Sequence, residues 1–88
     1  EEFCVLLPGL DAAQAASIAE RLRSDIERHA GPSVRTSVGL TVTSSFGVAE
    51  LRPGVGDPAA LIDEADKALY MSKRSGRNRV TVSDGTAA

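Results

Sequence analysis

Two stretches of this chain space their apolar residues three and four positions apart, and three shorter stretches alternate or run continuously apolar, one kind following the other along the sequence. That succession constrains the fold most, because a one-sided helix and a pleated strand each need a partner surface on which to bury a face. Glu2-Phe3-Cys4-Val5-Leu6-Leu7, stopped by Pro8-Gly9, has the length and apolarity of a strand buried on both faces. Asp11 with Gln14 three residues on predicts a helix N-terminus, and Ala15, Ile18, Ala19, Leu22 and Ile26 form the buried stripe that follows. Gly31-Pro32 is expected to end it. Leu40, Val42, Phe46 and Val48 then alternate with polar or small residues, predicting a second strand. Asp57-Pro58 opens a second helix after the turn-rich run 52–56, with Leu61, Ile62, Ala65, Ala68 and Leu69 facing inward and Gly76 as its stop. Arg79-Val80-Thr81-Val82 predicts a third strand, and 83–88 a disordered tail.

The order strand, helix, strand, helix, strand describes an α/β domain with helices packed on a small sheet. With 88 residues there is material for one core, and the chain is expected to be part of something longer, since it opens on Glu1 inside a strand pattern and leaves a sheet edge unpaired. Apolar residues at 42% and charged residues at 25% fit a globular chain rather than a disordered one. No apolar run has the ~20 residues needed to cross a bilayer, so solubility is expected. Ten basic against twelve acidic residues leave a net charge of -2, which argues against nucleic acid as a partner and makes any anion site local. The single cysteine, Cys4, excludes an internal disulfide and fits a reducing compartment. Inside an apolar run it is expected to pack as a small hydrophobe, and His29 to sit at a helix end where it favours the dipole.

Charge is unevenly distributed near the end of the chain: Asp57, Asp63, Glu64 and Asp66 give way to Lys67, Lys73, Arg74, Arg77 and Arg79. At helical spacing Asp66, Tyr70, Lys73 and Arg77 fall on one stripe, and a mobile ammonium beside a planar guanidinium suits a polyphosphate. A solvated helix end favoured by the helix dipole accounts for the same residues. At the other end, Glu1 and Glu2 can reach one site only from a turn, since neighbouring strand residues point to opposite faces. There they could hold a divalent cation, or one could accept a proton from a hydroxyl; exposed surface accounts for an acidic pair equally well and is the commoner case.

Three segments, Glu1-Glu2-Phe3, 43–49 (TSSFGVA) and above all 65–79 (ADKALYMSKRSGRNR), resemble the diguanylate cyclase (GGDEF) domain. The third carries the Ala-Asp, Ala-Leu-Tyr, Lys and Gly-Arg-Asn elements in order, with Ser72 where Ala is usual. The resemblance covers residues 1–82 and matches the C-terminal half of the family domain, which implies a partial α+β sandwich of the nucleotidyl-cyclase or ferredoxin-like type. By position, Glu1 matches an acid that binds metal and is implicated in activating the attacking 3′-hydroxyl, and Glu2 matches a further metal-binding acid. Lys73 and Arg77 match cations that contact the terminal phosphates of the nucleotide. The two glycines that precede the acidic pair in the family, its first-strand Asp and its product-binding inhibitory motif are not among these residues.

What the resemblance implies is a magnesium-dependent nucleotidyltransferase of bacterial signalling. It joins two GTP molecules into cyclic di-GMP with loss of pyrophosphate, in a homodimer driven by an upstream sensory or regulatory domain. A cytoplasmic placement is implied, with any membrane anchor upstream. The 88 residues alone are expected to turn over little or no GTP, for want of the missing groups. The competing expectation is a degenerate domain that binds nucleotide or a partner protein as a regulatory module.

Overall fold

The computed structural model describes residues 2–29, 42–51 and 57–84. Four elements follow in chain order: α1 (Ala12–His29), β1 (Phe46–Val48), α2 (Pro58–Arg74) and β2 (Val80–Val82). The two strands pair in parallel, Phe46 with Val80, Gly47 with Thr81 and Val48 with Val82, so β1, α2 and β2 make a strand-helix-strand unit. Helix α1 packs on both strands.

Local chemistry sets both helix starts. Asp11 Oδ1 accepts the Gln14 N–H at 2.8 Å while Gln14 Oε1 accepts the Asp11 N–H at 2.9 Å, a reciprocal box that satisfies two free donors. Glu50 Oε1 takes a third, the N–H of Ala12, which ties the start of α1 to the residues after β1. At α2, Asp57 stands in an extended conformation and caps the Ala59 N–H at 2.8 Å, with Pro58 at the first helical position. The far end closes when Ser75 N–H reaches Met71 O and Arg77 N–H reaches Ser72 O, both at 2.9 Å, around Gly76 at φ +120°.

The unit is held by unusually close approach. A Cβ on Gly47 would lie 2.2 Å from the Ala65 carbonyl oxygen and 2.2 Å from the Leu69 nitrogen, so the α2 backbone rests directly on β1. Ala68 and Ser72 are buried on the same helix face. Ser72 Oγ donates to Phe46 O at 2.7 Å and lies 2.7 Å from Thr81 Oγ1, so one hydroxyl joins the helix to both strands. Glu64, only 2% exposed, accepts from Ser83 Oγ at 2.7 Å, and Ser83 N–H donates to Val48 O at 2.7 Å.

Several expectations need correction. Residues 2–7 are not a strand: they have no ladder partner among the described residues, and Phe3, Val5 and Leu6 are 87%, 70% and 75% exposed. An apolar run of strand length becomes a strand only where its backbone meets a free sheet edge, and residues 2–7 meet none among the described residues. The second strand shortens to Phe46–Val48, with Leu40 outside the described residues, and Arg79 precedes the last strand rather than opening it. The inward stripes are also shifted. Ile18, Leu22 and Ile62 are exposed, whereas Glu64 and Ser72 turn inward because each finds a polar partner there. The stop at Gly31-Pro32, the 52–56 connection and tail residues 85–88 lie outside the described residues, while Ser83 is anchored by the two bonds above.

Candidate functional site

Asp66, Tyr70 and Lys73 recur at four and three residues along α2, and the helical period brings them to one side. Glu2 comes from the opposite end of the chain to meet them. With Leu69, these residues line a cleft of about 140 Å³. Lys73 Nζ donates to Glu2 Oε2 at 3.1 Å, across a separation of 71 residues. Both partners are substantially solvent-exposed, and an exposed pair of this kind contributes only about 0–1 kcal/mol. Its weakness matters chemically, because an incoming anion can replace the carboxylate on the ammonium at small cost. Next to it, Arg74 donates from Nη1 to the Tyr70 hydroxyl at 3.0 Å and stacks 5.7 Å from the ring centroid, which commits that guanidinium to the rim.

Arg77 is placed differently from its sequence expectation. Helix α2 ends at Arg74, so the helical stripe does not extend to Arg77, which lies in the following turn at φ +64° and does not line the cleft. Gly76 ends the helix because its φ of +120° is a conformation that side-chain-bearing residues rarely adopt. Arg79 in turn donates from Nε to the Arg77 carbonyl at 3.1 Å. Glu1 lies outside the described residues, and among the described residues no group of three or more His, Cys, Asp or Glu side chains converges as a metal site. Glu2 and Asp66 are the carboxylates that line the cleft.

The turn carries a feature that the periodicity did not disclose. Asn78, at φ +48°, is bound through its amide at both ends: Oδ1 accepts from Arg23 Nη1 at 2.8 Å, and Nδ2 donates to Glu27 Oε2 at 2.9 Å. Its backbone N–H reaches Ser45 Oγ at 3.1 Å. Arg23 is further tied to Glu20, donating from Nε at 2.9 Å; that bond above all holds the Arg23 pKa above its ordinary value and the Glu20 carboxyl below its own. On the wheel, Glu27 falls on the outer face of its helix, and contacts 51 and 55 residues apart leave no local signal. Among the described residues no helix is long and apolar enough to cross a membrane.

The chain as a whole has relatives among known proteins. Residues 1–79 match the family described as diguanylate cyclase, GGDEF domain. The chain is 38% identical over 84 residues to the probable diguanylate cyclase DgcT of Escherichia coli K12, covering 96% of this chain and 19% of the relative. It is 39% identical to diguanylate cyclase A of Treponema denticola, covering 94% of this chain and 22% of the relative. Against the response regulator PleD of Caulobacter vibrioides the identity is 41%, over 91% and 18% of the two chains. The chain therefore spans 18–22% of the length of these relatives. Among solved structures, the GGDEF domain of DgcB from Caulobacter crescentus in complex with c-di-GMP superposes with a TM-score of 0.73 at 33% identity, covering 90% of this chain and 45% of that one.

Proposed function

This chain belongs to the diguanylate cyclase GGDEF-domain family, and from that premise we propose that it supplies the phosphate-holding side of a site that condenses two GTP molecules into cyclic di-GMP. The observation that carries the reading is the Glu2–Lys73 pair in the cleft beside Asp66 and Tyr70, where acid and base from opposite ends of the sequence meet in a solvent-open pair. Lys73 exchanges the Glu2 carboxylate for a terminal phosphate oxygen, gaining a charge-assisted bond in its place. Arg77, exposed on the turn after the helix, adds a planar fork to the same phosphate chain.

The reaction forms a bond from a ribose 3′-oxygen to the α-phosphorus of the other GTP and breaks the bond from that phosphorus to pyrophosphate. Two such displacements close the ring and release two pyrophosphates, so two copies of the chain face each other with one GTP each. Glu1 accepts the proton from the 3′-hydroxyl. Lys73 and Arg77 hold the charge that develops on the departing pyrophosphate. The acidic donors suit magnesium, a hard cation usually bound by one or two carboxylates together with substrate phosphates, and Glu1 and Glu2 would hold it. When bound, that ion supplies charge neutralisation on the phosphates and a more acidic hydroxyl. The supporting domain, the sensory input and a cytoplasmic location belong to a longer protein that contains these residues.

The test compares the 88-residue chain with a longer protein that includes it, each incubated with GTP and magnesium and assayed for cyclic di-GMP by mass spectrometry. The longer protein is expected to form product and to lose it on Lys73→Ala, whereas the 88 residues alone yield little or none. GTP binding without turnover in the longer protein would overturn the enzymatic reading and leave a nucleotide-binding regulatory module.

A further inference from the structure

Two consecutive side-chain-bearing residues, Arg77 and Asn78, hold the left-handed backbone at φ +64° and +48°. Asn tolerates this conformation comparatively well and Arg does not, so something outside the turn has to hold it. The backbone bonds from Arg77 to Ser72 and from Asn78 to Ser45 fix the two peptide planes. The side-chain amide of Asn78 is gripped from α1, with Arg23 on its oxygen and Glu27 on its nitrogen. Arg23 also bonds Glu27 at 3.2 Å, which closes a three-residue ring of hydrogen bonds. An amide held at both ends cannot rotate without breaking two charge-assisted bonds. The backbone of the residue directly before it is therefore held too, by its N–H on Ser72 and its carbonyl on Arg79, and Arg77 is one of the two cations assigned to the phosphates.

We propose that Asn78, clamped by Arg23 and Glu27 of α1, is a positioning residue that sets the direction of Arg77 toward the nucleotide's phosphates; this rests on the reading of Arg77 as a phosphate-binding cation. Helix α1 thereby acts on the site through a single amide, without touching substrate. The arrangement separates two roles for the turn: a glycine at position 78 would accept the backbone angle without strain but would leave nothing for α1 to grip.

The experiment titrates GTP into the 88-residue chain and into Arg77→Ala, Asn78→Gly, Arg23→Ala and the Arg77→Ala/Asn78→Gly double variant, with the melting temperature of each measured alongside. Loss of a charge-assisted bond predicts about a tenfold weaker affinity for Arg77→Ala. Asn78→Gly and Arg23→Ala are expected to approach that loss, and the double variant to bind no more weakly than Arg77→Ala alone, since the second change removes only what aims the first. A merely structural turn would lower the melting temperature of Asn78→Gly and Arg23→Ala while leaving affinity at the wild-type level, and that result overturns the inference. If Arg77→Ala itself binds GTP like the wild type, the reading of Arg77 as a phosphate cation fails, and the inference with it. Where affinity is too low to measure, NMR relaxation of the Arg77 Nε–H decides: greater mobility in Asn78→Gly than in wild type supports the clamp, and equal mobility overturns it.

Discussion

The segment 2–7 carries bulkier apolar side chains than the α2 face that meets β1, yet the segment lies exposed and the helix face is locked. Phe3, Val5 and Leu6 have surface to bury but no backbone ladder among the described residues. Ala65, Ala68 and Ser72 have little side chain, and they let the helix settle on Gly47 until backbone meets backbone. What separates the two regions is closeness of fit and satisfied polar groups, with apolar content secondary.

The largest expected effect tests that closeness directly. Gly47→Ala places a methyl group within 2.2 Å of two α2 backbone atoms, which no rotamer change can relieve. Overpacking against backbone should cost about 3 kcal/mol, a large part of the roughly 5–15 kcal/mol that a small domain possesses. Urea denaturation of the variant would measure it; a loss under about 1 kcal/mol would mean that the helix is free to slide on the strand. Ser72→Ala comes next. It removes the hydroxyl that joins Phe46 O and Thr81 Oγ1, leaves Thr81 without that partner, and should cost about 1–2 kcal/mol in the same experiment.

These two residues also mark what the sequence could disclose. The helix starts at Asp11 and Asp57 and the stop at Gly76 were legible because each rests on neighbours within a few positions: Gln14, Ala59, and Met71 and Ser72 respectively. The cleft was legible in part. Asp66, Tyr70 and Lys73 share a helical period, and the resemblance named Glu2 and Lys73, which the structure joins. Arg77 was misplaced, because the helical period was carried past Gly76 into a turn that has none. The inward turn of Ser72 and Glu64 was not legible, since their partners lie 9 to 26 residues away and periodicity alone assigns polar residues to solvent. The strand expected at 2–7 failed for the complementary reason: apolarity is a property of a segment, whereas strand pairing is a property of two.

Lys73→Ala tests the point where the two regions touch. The ammonium holds the otherwise exposed N-terminal segment to α2 through Glu2, but an open pair is screened and flexible. Stability should therefore fall by no more than about 1 kcal/mol. GTP affinity should fall about tenfold, because a phosphate oxygen gains more from the cation than the carboxylate does. A stability loss well above 1 kcal/mol, with affinity unchanged, would make the pair a structural staple and remove it from the site.

The smallest effect is expected at Phe3. With Phe3 87% exposed, Phe3→Ser forfeits little burial and should change the stability of the 88-residue chain by less than about 0.5 kcal/mol. That near-silence makes it a sensitive probe of context, because a ring of this size buried against another surface would contribute about 2 kcal/mol. The same substitution made in a longer protein that contains this chain therefore reads out whether anything covers the segment. A cost near 2 kcal/mol there, against none here, would show that residues 2–7 find their partner elsewhere in the protein. Equal and negligible costs would leave residues 2–7 an exposed segment, tethered to the cleft by the bond of Glu2 to Lys73.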